Sequence, residues 1–554
     1  MADSRLILDH VYAHEREHPE RVFLTQPHDG GKTRDYTWSQ VTDEARRMAA
    51  HLRSQGIGPG DHIAILSKNC AHFFIAELAI WMAGGTSIAI FPTESAETVR
   101  YVLEHSDSKL LFVGKLDFWP QQEPGVPAHL PRIALPLAPP TSLQKWDDLI
   151  ARTEPLAGQT QRRPDDLAMI IYTSGSTGTP KGVMHNFERL TRCAEAIASS
   201  ERYNDQDRLI SYLPLAHVFE RTFVEAAALV SSPRVFFSES LETFVNDVRR
   251  ARPTLFISVP RLWVKFQQGV LHKMPQKKLN TLLRIPILSG IVKRKILDGL
   301  GLDQVRLAGS GSAPIPPEVI AWYRRLGLNL MEGYGMTEDL AYSHVSKAHA
   351  SAPGWVGVPY PGVEVKLSPE GEVLIKSPGQ MVGYYKQPEL TAESLTADGY
   401  FRTGDLGERN EKGMLRITGR AKELFKTAKG KYVAPAPIEN LLGESTIIET
   451  AMVSGVGQPS AFALVVLAED LRPRISDASV RASVEAELSA LLDRVNARVA
   501  DYEQLQMIVI AREPFSVENG LLTPTMKIRR ARIEKAVEAD VERWYGKKSK
   551  VLWA

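Results

Sequence analysis

The stretch "TSGSTGTPKG", Thr173 to Gly182, sets hydroxyls and glycines around one proline and one lysine, directly behind the apolar run "LAMII". Glycines let backbone N–H groups approach a ligand closely, and such groups, with hydroxyls and an ammonium, suit phosphate oxygens. The spacing is not that of the P-loop pattern G-x-x-x-x-G-K-[ST]. Here five residues separate Gly175 from Lys181, Pro180 precedes the lysine and Gly182 follows it. Thr173, Ser174, Gly175, Ser176, Thr177, Gly178, Thr179 and Lys181 therefore form a candidate phosphate loop serving a different chemistry.

Five further stretches are polar where a core would be apolar. "SYLPLAHVFER" puts His217 and Glu220 just beyond an expected strand. "LAGSGSAPIPP" places small residues after another strand, where a parallel sheet carries its ligand loops. "MEGYGMTE" offers Tyr334 for stacking, Thr337 as a hydroxyl and Glu338 for a hard cation. "DGYFRTGDLG" is expected to hold Asp405 in a glycine-flanked turn, able to accept hydrogen bonds from two ribose hydroxyls. "NGLLTPTMKIRR" brings Lys527 in after a threonine-proline turn. Taken singly, each has a plainer reading: His217 as a satisfied buried histidine, Glu338 and Asp405 as solvated or capping carboxylates, Lys527 with Arg529 and Arg530 as an exposed basic face. Their joint occurrence in this order carries the functional reading.

The elements that must position these residues show in the texture of the chain. "HIAIL", "TSIAIF" and "KLLFVG" alternate with the amphipathic "AHFFIAELAIWMAGG" and "AETVRYVLEH", and "RVFFS", "LETFVNDVRRARP" and "TLFISVP" resume the rhythm. Ile-, Val- and Phe-rich runs separated by helical stretches predict βαβ units and a parallel sheet. Gln121 to Pro164 is proline-rich and weakly patterned, and reads as an irregular connection. From about Trp355, "VEVKLSPEGEVLIKS" and "MLRITGR" read as strands following strands, hence a smaller β-rich subdomain. A mixed tail follows, with the strand "AFALVVLA" and a helix whose Val484, Leu488, Leu491, Val495 and Val499 share one face as core packing.

A chain of 554 residues exceeds a single core, so two or more domains are expected. With 67 basic against 65 acidic residues, no general drive toward nucleic acid exists. Two cysteines, Cys70 and Cys193, exclude a disulfide framework and favour a reducing compartment. The N-terminus "MADSRLILDHVYAHEREHPE" does not read as a secretory signal, and no apolar run reaches the roughly 18 residues of a spanning helix. A cytoplasmic protein, soluble or peripheral to a membrane, is expected. The segment Lys277 to Leu302 mixes Lys277, Lys278, Arg284, Lys293, Arg294 and Lys295 with Leu and Ile, as an interfacial segment would. An ordinary packed helix pair with a solvated basic face is the simpler reading, and Pro286 and Gly290 are expected to prevent one unbroken helix.

The ordered set of motifs resembles the adenylate-forming superfamily of acyl-CoA synthetases, luciferases and peptide-synthetase adenylation domains. Within it, "LPLAHVFER", "SVPRLW", "NGLLTPTMKIRR" and the stretch from Asp398 to Asn440 are similar to long- and very-long-chain fatty acyl-CoA synthetases. Gly419 stands where that group often has Asp before the ribose-binding arginine, and "APAPIEN" is similar to bubblegum-type relatives, so subgroup and chain length stay open. The resemblance implies an α/β protein. Residues 1–420 would form a large ATP- and acyl-binding domain of parallel βα sheets with a β-rich subdomain at about 355–420, and residues 421–554 a small mobile α+β domain.

The resemblance also implies that ATP and Mg²⁺ activate a fatty acid as acyl-adenylate, releasing pyrophosphate, and that the CoA thiol then displaces AMP. The loop would hold the β- and γ-phosphates. Gly311, Ser312, Ala313 and Tyr334 would contact adenine, Gly333 and Gly335 would belong to the same nucleotide-binding set, Thr337 would contact the α-phosphate, Glu338 the Mg²⁺, and Asp405 and Arg420 the ribose. Lys527 would bridge the reacting carboxylate and the α-phosphate. Lys422 falls at the hinge of the small domain, Lys426 and Gly430 on the side presented to CoA, and His217 at a residue that moves between the two steps. Two other readings stand beside this one: loading of a carrier-protein phosphopantetheine, and a non-catalytic acyl- or nucleotide-binding relative. Retention of Lys181, Glu338, Asp405, Arg420 and Lys527 together speaks against the latter. The acid's identity and the oligomeric state stay open at this level.

Overall fold

The computed structural model of the chain describes residues 5–174, 179–347, 352, 354–523, 526–547 and 549–554. Three of the expected strands, His62–Leu66, Thr86–Ile90 and Ser108–Val113, lie side by side in parallel, and Leu167–Ser174 adds beside Thr86–Ile90. A parallel strand is covered on both faces, which is why these runs are continuously apolar. The helix Ala71–Ala83 is buried along its whole length and stops at Gly84, whose φ of +106° suits glycine. The sheet has eight strands and ends, on the side that matters for the site, with Pro180–Asn186 and Gly383–Tyr384, both antiparallel. The register sets Thr173 opposite Lys181 and Ser174 opposite Pro180, so the two ends of the phosphate-loop candidate are paired antiparallel strands. Gly175, Ser176, Thr177 and Gly178 lie outside the described residues.

The stretch expected to be an irregular connection is in part regular. Arg132–Ala134 and Gln144–Lys145 extend the eight-stranded sheet, and the helix Trp146–Arg152 buries Trp146. Strands of three and two residues are too short to show a period of two, which is why they left no pattern.

A second sheet places Leu255–Ser258, Leu307–Ser310 and Leu330–Tyr334 in parallel and then turns antiparallel through His344–Val345 and Val358–Pro359. A third joins Arg208–Ser211, Arg234–Phe237, Val22–His28 and Lys32–Thr37. The β-rich part is a four-stranded antiparallel sheet of Glu364–Leu367, Glu372–Lys376, Phe401–Arg409 and Leu415–Arg420.

Beyond it a smaller, distinct α+β domain is built on Ile448–Ser454, Ala461–Leu467, Leu505–Ile510 and Val551–Trp553. Alternate residues of its central strand face opposite ways, as a strand requires. Ala461, Ala463 and Val465 meet the helix Ala478–Asn496, while Phe462, Leu464 and Val466 meet Ile533 and Trp544 of the helix Arg530–Tyr545. Val484, Leu488, Leu491 and Val495 are buried as expected, but Val499 lies past the helix end at Asn496. Segment 277–302 divides into Gln276–Leu283 and Pro286–Leu300, with Pro286 in the first turn of the second helix. Gly290 does not interrupt that helix. A mid-helix glycine costs only about 1 kcal/mol relative to alanine, and Ile296 and Val292 are packed into the core beneath it.

One buried feature braces the floor of the large domain. The π-helical turn Arg221–Ala226 carries Arg221, 2% exposed, between Glu77 and Glu225, at 2.9 Å from the latter. Burial, and then the neighbouring Glu77 charge, push the Glu225 carboxyl well up. Removing the one cation strands two buried acids, a class of change costing about 3–5 kcal/mol. Arg221→Ala is therefore expected to lower the thermal midpoint of the full chain sharply, and an unchanged midpoint would contradict this bracing role.

Candidate active site

A cleft of about 2960 Å³ opens between the large domain and the small one, at the carboxyl ends of the parallel strands Leu255–Ser258, Leu307–Ser310 and Leu330–Tyr334. Its volume is several times that of a pocket for one drug-sized molecule, about 300–1,000 Å³. Its lining includes the apolar Leu213, Phe219, Phe223, Ile257, Val264 and Leu271. It also includes most of the polar residues singled out in the sequence, and the Phe219 ring lies 3.2 Å from where a Cβ on Gly311 would stand, so apolar and polar lining meet there.

Asp405 is in the strand Phe401–Arg409 and not in a turn. Gly404 before it takes φ +71°, and the register sets Asp405 directly across from Arg420. The flanking glycines suggested a turn, but they serve a bulged strand. Arg420 Nε lies 2.9 Å from Asp405 Oδ1, and the Tyr334 hydroxyl donates to Oδ2 at 2.6 Å. Asp405 is 5% exposed, and its charge is the first cause holding the Arg420 guanidinium up. A carboxylate has about four acceptor positions, so two remain for hydroxyls of a ligand. Tyr334 thus orients the carboxylate while its ring lines the cleft.

Around this pair stand the strand-end residues. Gly311, Ser312 and Ala313 leave Leu307–Ser310, with Ser312 at φ +68°. Gly333 and Tyr334 end the neighbouring strand. Gly335 passes so near Ala341 that a Cβ would lie 2.6 Å from its backbone, so only glycine fits there. The next turn, Thr337–Asp339, presents Thr337 and Glu338 to the cleft, with His185 holding the Thr337 carbonyl at 2.8 Å.

Glu338 Oε1 accepts from the Tyr384 hydroxyl at 2.8 Å, and Lys181 Nζ lies 5.4 Å from the centre of the Tyr384 ring. Tyr384 therefore ties the phosphate-loop lysine to the acid. Sequence reading missed it, because its two-residue strand becomes meaningful only when paired with Val183. Glu332 was missed as well: burial raises its carboxyl to about 7 at the cleft wall, and nothing in "MEGYG" distinguishes it. Among the described residues no group of three or more His, Cys, Asp or Glu forms a metal cage. A single carboxylate beside a phosphate loop does fit Mg²⁺, which is usually held by one or two carboxylates and substrate phosphates.

From the small domain comes Lys527. Its backbone N–H donates to Thr523 Oγ1 at 3.0 Å and its carbonyl accepts from the Thr523 N–H at 2.8 Å, which pins the turn. The side chain stands in the solvent of the cleft, with protein on several sides. Depletion of water by those walls, and next the like charge of Arg420, push the ammonium down to about 8, against the pull of Asp405, Glu338 and Glu423. His217 lines the cleft nearby, and burial first and Lys527 second push it down to about 3, so its ring is neutral. Its Nδ1 accepts from the Phe219 N–H at 3.2 Å, which leaves the proton on Nε2. Glu220 is fully buried and turned away from the cleft, accepting from Ser211 Oγ and the Tyr212 N–H.

Of the remaining described residues, Lys422 and Lys426 also line the cleft, and two do not. Thr179 and Gly430 are exposed, and neither lines the cleft. Lys426 is at the rim, its Nζ 5.5 Å from the Tyr432 ring centre in the hairpin that also carries Gly430. Lys422 is exposed in the turn Ala421–Glu423, where the chain passes between the domains. The domains also touch through Glu449, which accepts from Arg261 of the large domain and, at 2.6 Å, from Arg472 of its own.

Residues 11–385 match the family model of the AMP-binding enzyme, and residues 423–549 that of the AMP-binding enzyme C-terminal domain. The long-chain-fatty-acid–CoA ligase FadD15 of Mycobacterium tuberculosis is 30% identical over 590 residues, covering 97% of this chain and 96% of its own. The A domain of a carboxylic acid reductase from Segniliparus rugosus, solved with AMP and a co-purified carboxylic acid, superposes with a TM-score of 0.81 at 21% identity, over 99% of this chain and 95% of that one. The A-PCP didomain of the same enzyme, with AMP, gives 0.79 at 22% identity, over 98% and 83%. This chain belongs to the AMP-binding enzymes, and is an ATP-dependent adenylate-forming enzyme acting on a carboxylic acid.

Proposed function

We propose that this enzyme activates a long-chain fatty acid as its acyl-adenylate and passes the acyl group to the thiol of CoA. The observation that carries the reading is one cleft lined both by the Asp405–Arg420–Tyr334 group with Lys527 and by apolar side chains such as Leu213, Phe223, Val264 and Leu271. The name of FadD15 supports both the fatty acid and the CoA acceptor. A second reading, transfer to a carrier-protein phosphopantetheine, draws on the fold shared with the A-PCP didomain.

A carboxylate resists thiols because its oxide-like leaving group cannot depart, whereas AMP departs readily. In the first step a carboxylate oxygen attacks the α-phosphorus of ATP and pyrophosphate leaves. Lys181 and the candidate phosphate loop hold the outer phosphates, Thr337 the α-phosphate, and Asp405 and Arg420 the ribose. Gly311, Ser312, Ala313 and Tyr334 frame the adenine, with Gly333 and Gly335 beside them. Glu338 would hold Mg²⁺, which would supply charge neutralisation to the phosphates. Lys527 sets its ammonium between the carboxylate and the α-phosphate, where negative charge crowds in the transition state. In the second step the thiol attacks the acyl carbonyl and AMP leaves. The small domain turns about Lys422 beforehand, withdrawing Lys527 and bringing Lys426 and Gly430 to the thiol side, and His217 swings aside.

An ATP–pyrophosphate exchange screen over acids of increasing length tests the substrate. Each buried methylene contributes about 0.8 kcal/mol, so kcat/KM is expected to rise roughly fourfold per carbon up to a plateau. Better turnover of acetate or benzoate than of dodecanoate would overturn the fatty-acid assignment, and faster acylation of a holo carrier protein than of CoA would favour the second reading.

The two half-reactions are expected to separate by mutation. Lys527→Ala should lower exchange by about 10²–10³-fold, yet still convert supplied acyl-adenylate and CoA to thioester. Lys422→Pro, which stiffens the hinge, should form acyl-adenylate and stall before transfer. Equal loss of both steps in both folded variants would defeat the domain-alternation scheme.

The depressed ammonium also fixes a pH dependence. Lys527 carries its proton below about 8 and loses it above, so kcat/KM for ATP in exchange should fall on the alkaline side of that value. Lys527→Arg should move the fall to higher pH, and an identical alkaline limb in that variant would assign it to another group.

A further inference from the structure

The helix Pro286–Leu300 presents an outer face that none of the described residues covers. Ile287 is 81% exposed and Ile291 59%, one turn apart, with Ile285 and Leu288 also open beside them. Continuing along the same face by the three- and four-residue steps of a helix come Arg294 and Lys295, both exposed. The opposite face, through Val292, Ile296 and Leu297, is packed on the core, so the helix is anchored and its apolar outer side chains are left in water by construction.

Charge around this face is one-sided. From Pro260 to Leu297 the chain has nine Lys or Arg and no Asp or Glu. Among the described residues, Lys277, Lys278, Arg284, Lys293, Arg294 and Lys295 form no ion pair with an acid. A solvated basic face needs no isoleucines at its centre. A surface that docks an acidic protein through ion pairs has no use for aliphatic side chains standing clear of any groove. Aliphatic side chains projecting from a helix ringed by unpaired cations match the boundary of an anionic lipid bilayer, where the first enter the acyl region and the second meet headgroup phosphates.

We propose that the helix Pro286–Leu300, with the adjoining Gln276–Leu283, docks this enzyme reversibly on anionic membrane surfaces. The docking stands on this surface alone. One consequence rests on the fatty-acid reading: Lys273 and Gln276, next to the docking face, also line the cleft, so a docked enzyme would have this end of the cleft close to the source of its acid.

The test is sedimentation of the full chain with vesicles of phosphatidylglycerol and phosphatidylcholine, against vesicles of phosphatidylcholine alone. The wild type is expected to pellet with the first and not the second, and to be released by salt. Ile287→Ser with Ile291→Ser, and separately Arg284→Gln with Arg294→Gln and Lys295→Gln, should each weaken binding by about tenfold or more. Exchange with octanoate, a dissolved acid, should be unchanged in both, which separates lost docking from lost folding. If octanoate is no substrate at all, the substrate reading fails while the pelleting result is read as before, with thermal melting as the check on folding. No pelleting of the wild type would overturn the proposal. So would pelleting that survives the loss of Ile287 and Ile291, because attraction by charge alone is what an acidic protein partner would also need.

Discussion

The site is organised by a strand register. With Asp405 directly across from Arg420 in an antiparallel pair, a carboxylate and a guanidinium meet at 2.9 Å on the side facing the cleft, and Tyr334 reaches in from a different sheet to fix the second oxygen. A slip of one residue would turn both side chains to the other face. Three units are related through this one point: the sheet whose strand Leu330–Tyr334 ends in Tyr334, the antiparallel sheet that carries the pair, and the small domain, whose Lys527 feels both charges. The low exposure of Asp405 keeps it from solvent competition, so its remaining acceptor positions stay directed at the cleft.

The polar lining of the cleft follows from topology. Ligand loops gather at the carboxyl ends of parallel strands, and the loops after Leu307–Ser310 and Leu330–Tyr334 are built of small and polar residues. Part of the apolar lining is supplied by Phe219 and Phe223, two residues either side of Arg221, which is braced by Glu77 and Glu225. The buried ion pairs thus anchor the backbone from which both aromatic rings project. The neutral state of His217 keeps a second cation away from the Lys527 ammonium.

Much of this was legible in the residue pattern, and the reasons for the exceptions are specific. Long apolar runs such as "HIAIL" and "TSIAIF" named their strands because strands buried on both faces leave no alternation to misread. The segments Arg132–Ala134 and Gln144–Lys145 were lost because pairing with a neighbour, not their own composition, makes them strands. Asp405 was placed in a turn because glycines in a bulged strand look the same in sequence as glycines in a loop. Tyr384 was invisible for a related reason: its contacts with Glu338 and Lys181 join residues far apart in the chain. The order of the polar motifs carried the family, whereas the cleft that unites them belongs to the packing of the two domains.

Glu449 bears on how readily the two domains can part. It accepts from Arg261 across the interface and from Arg472 within its own domain. A carboxylate with a single partner would be stranded when that partner left, and the interface would then resist opening. Here the second arginine travels with the acid, so separation exchanges one ion pair for water without leaving an orphaned charge. Lys527, already in contact with the solvent of the cleft, likewise has hydration to return to. At this contact, then, parting the domains would leave no buried carboxylate without a cation.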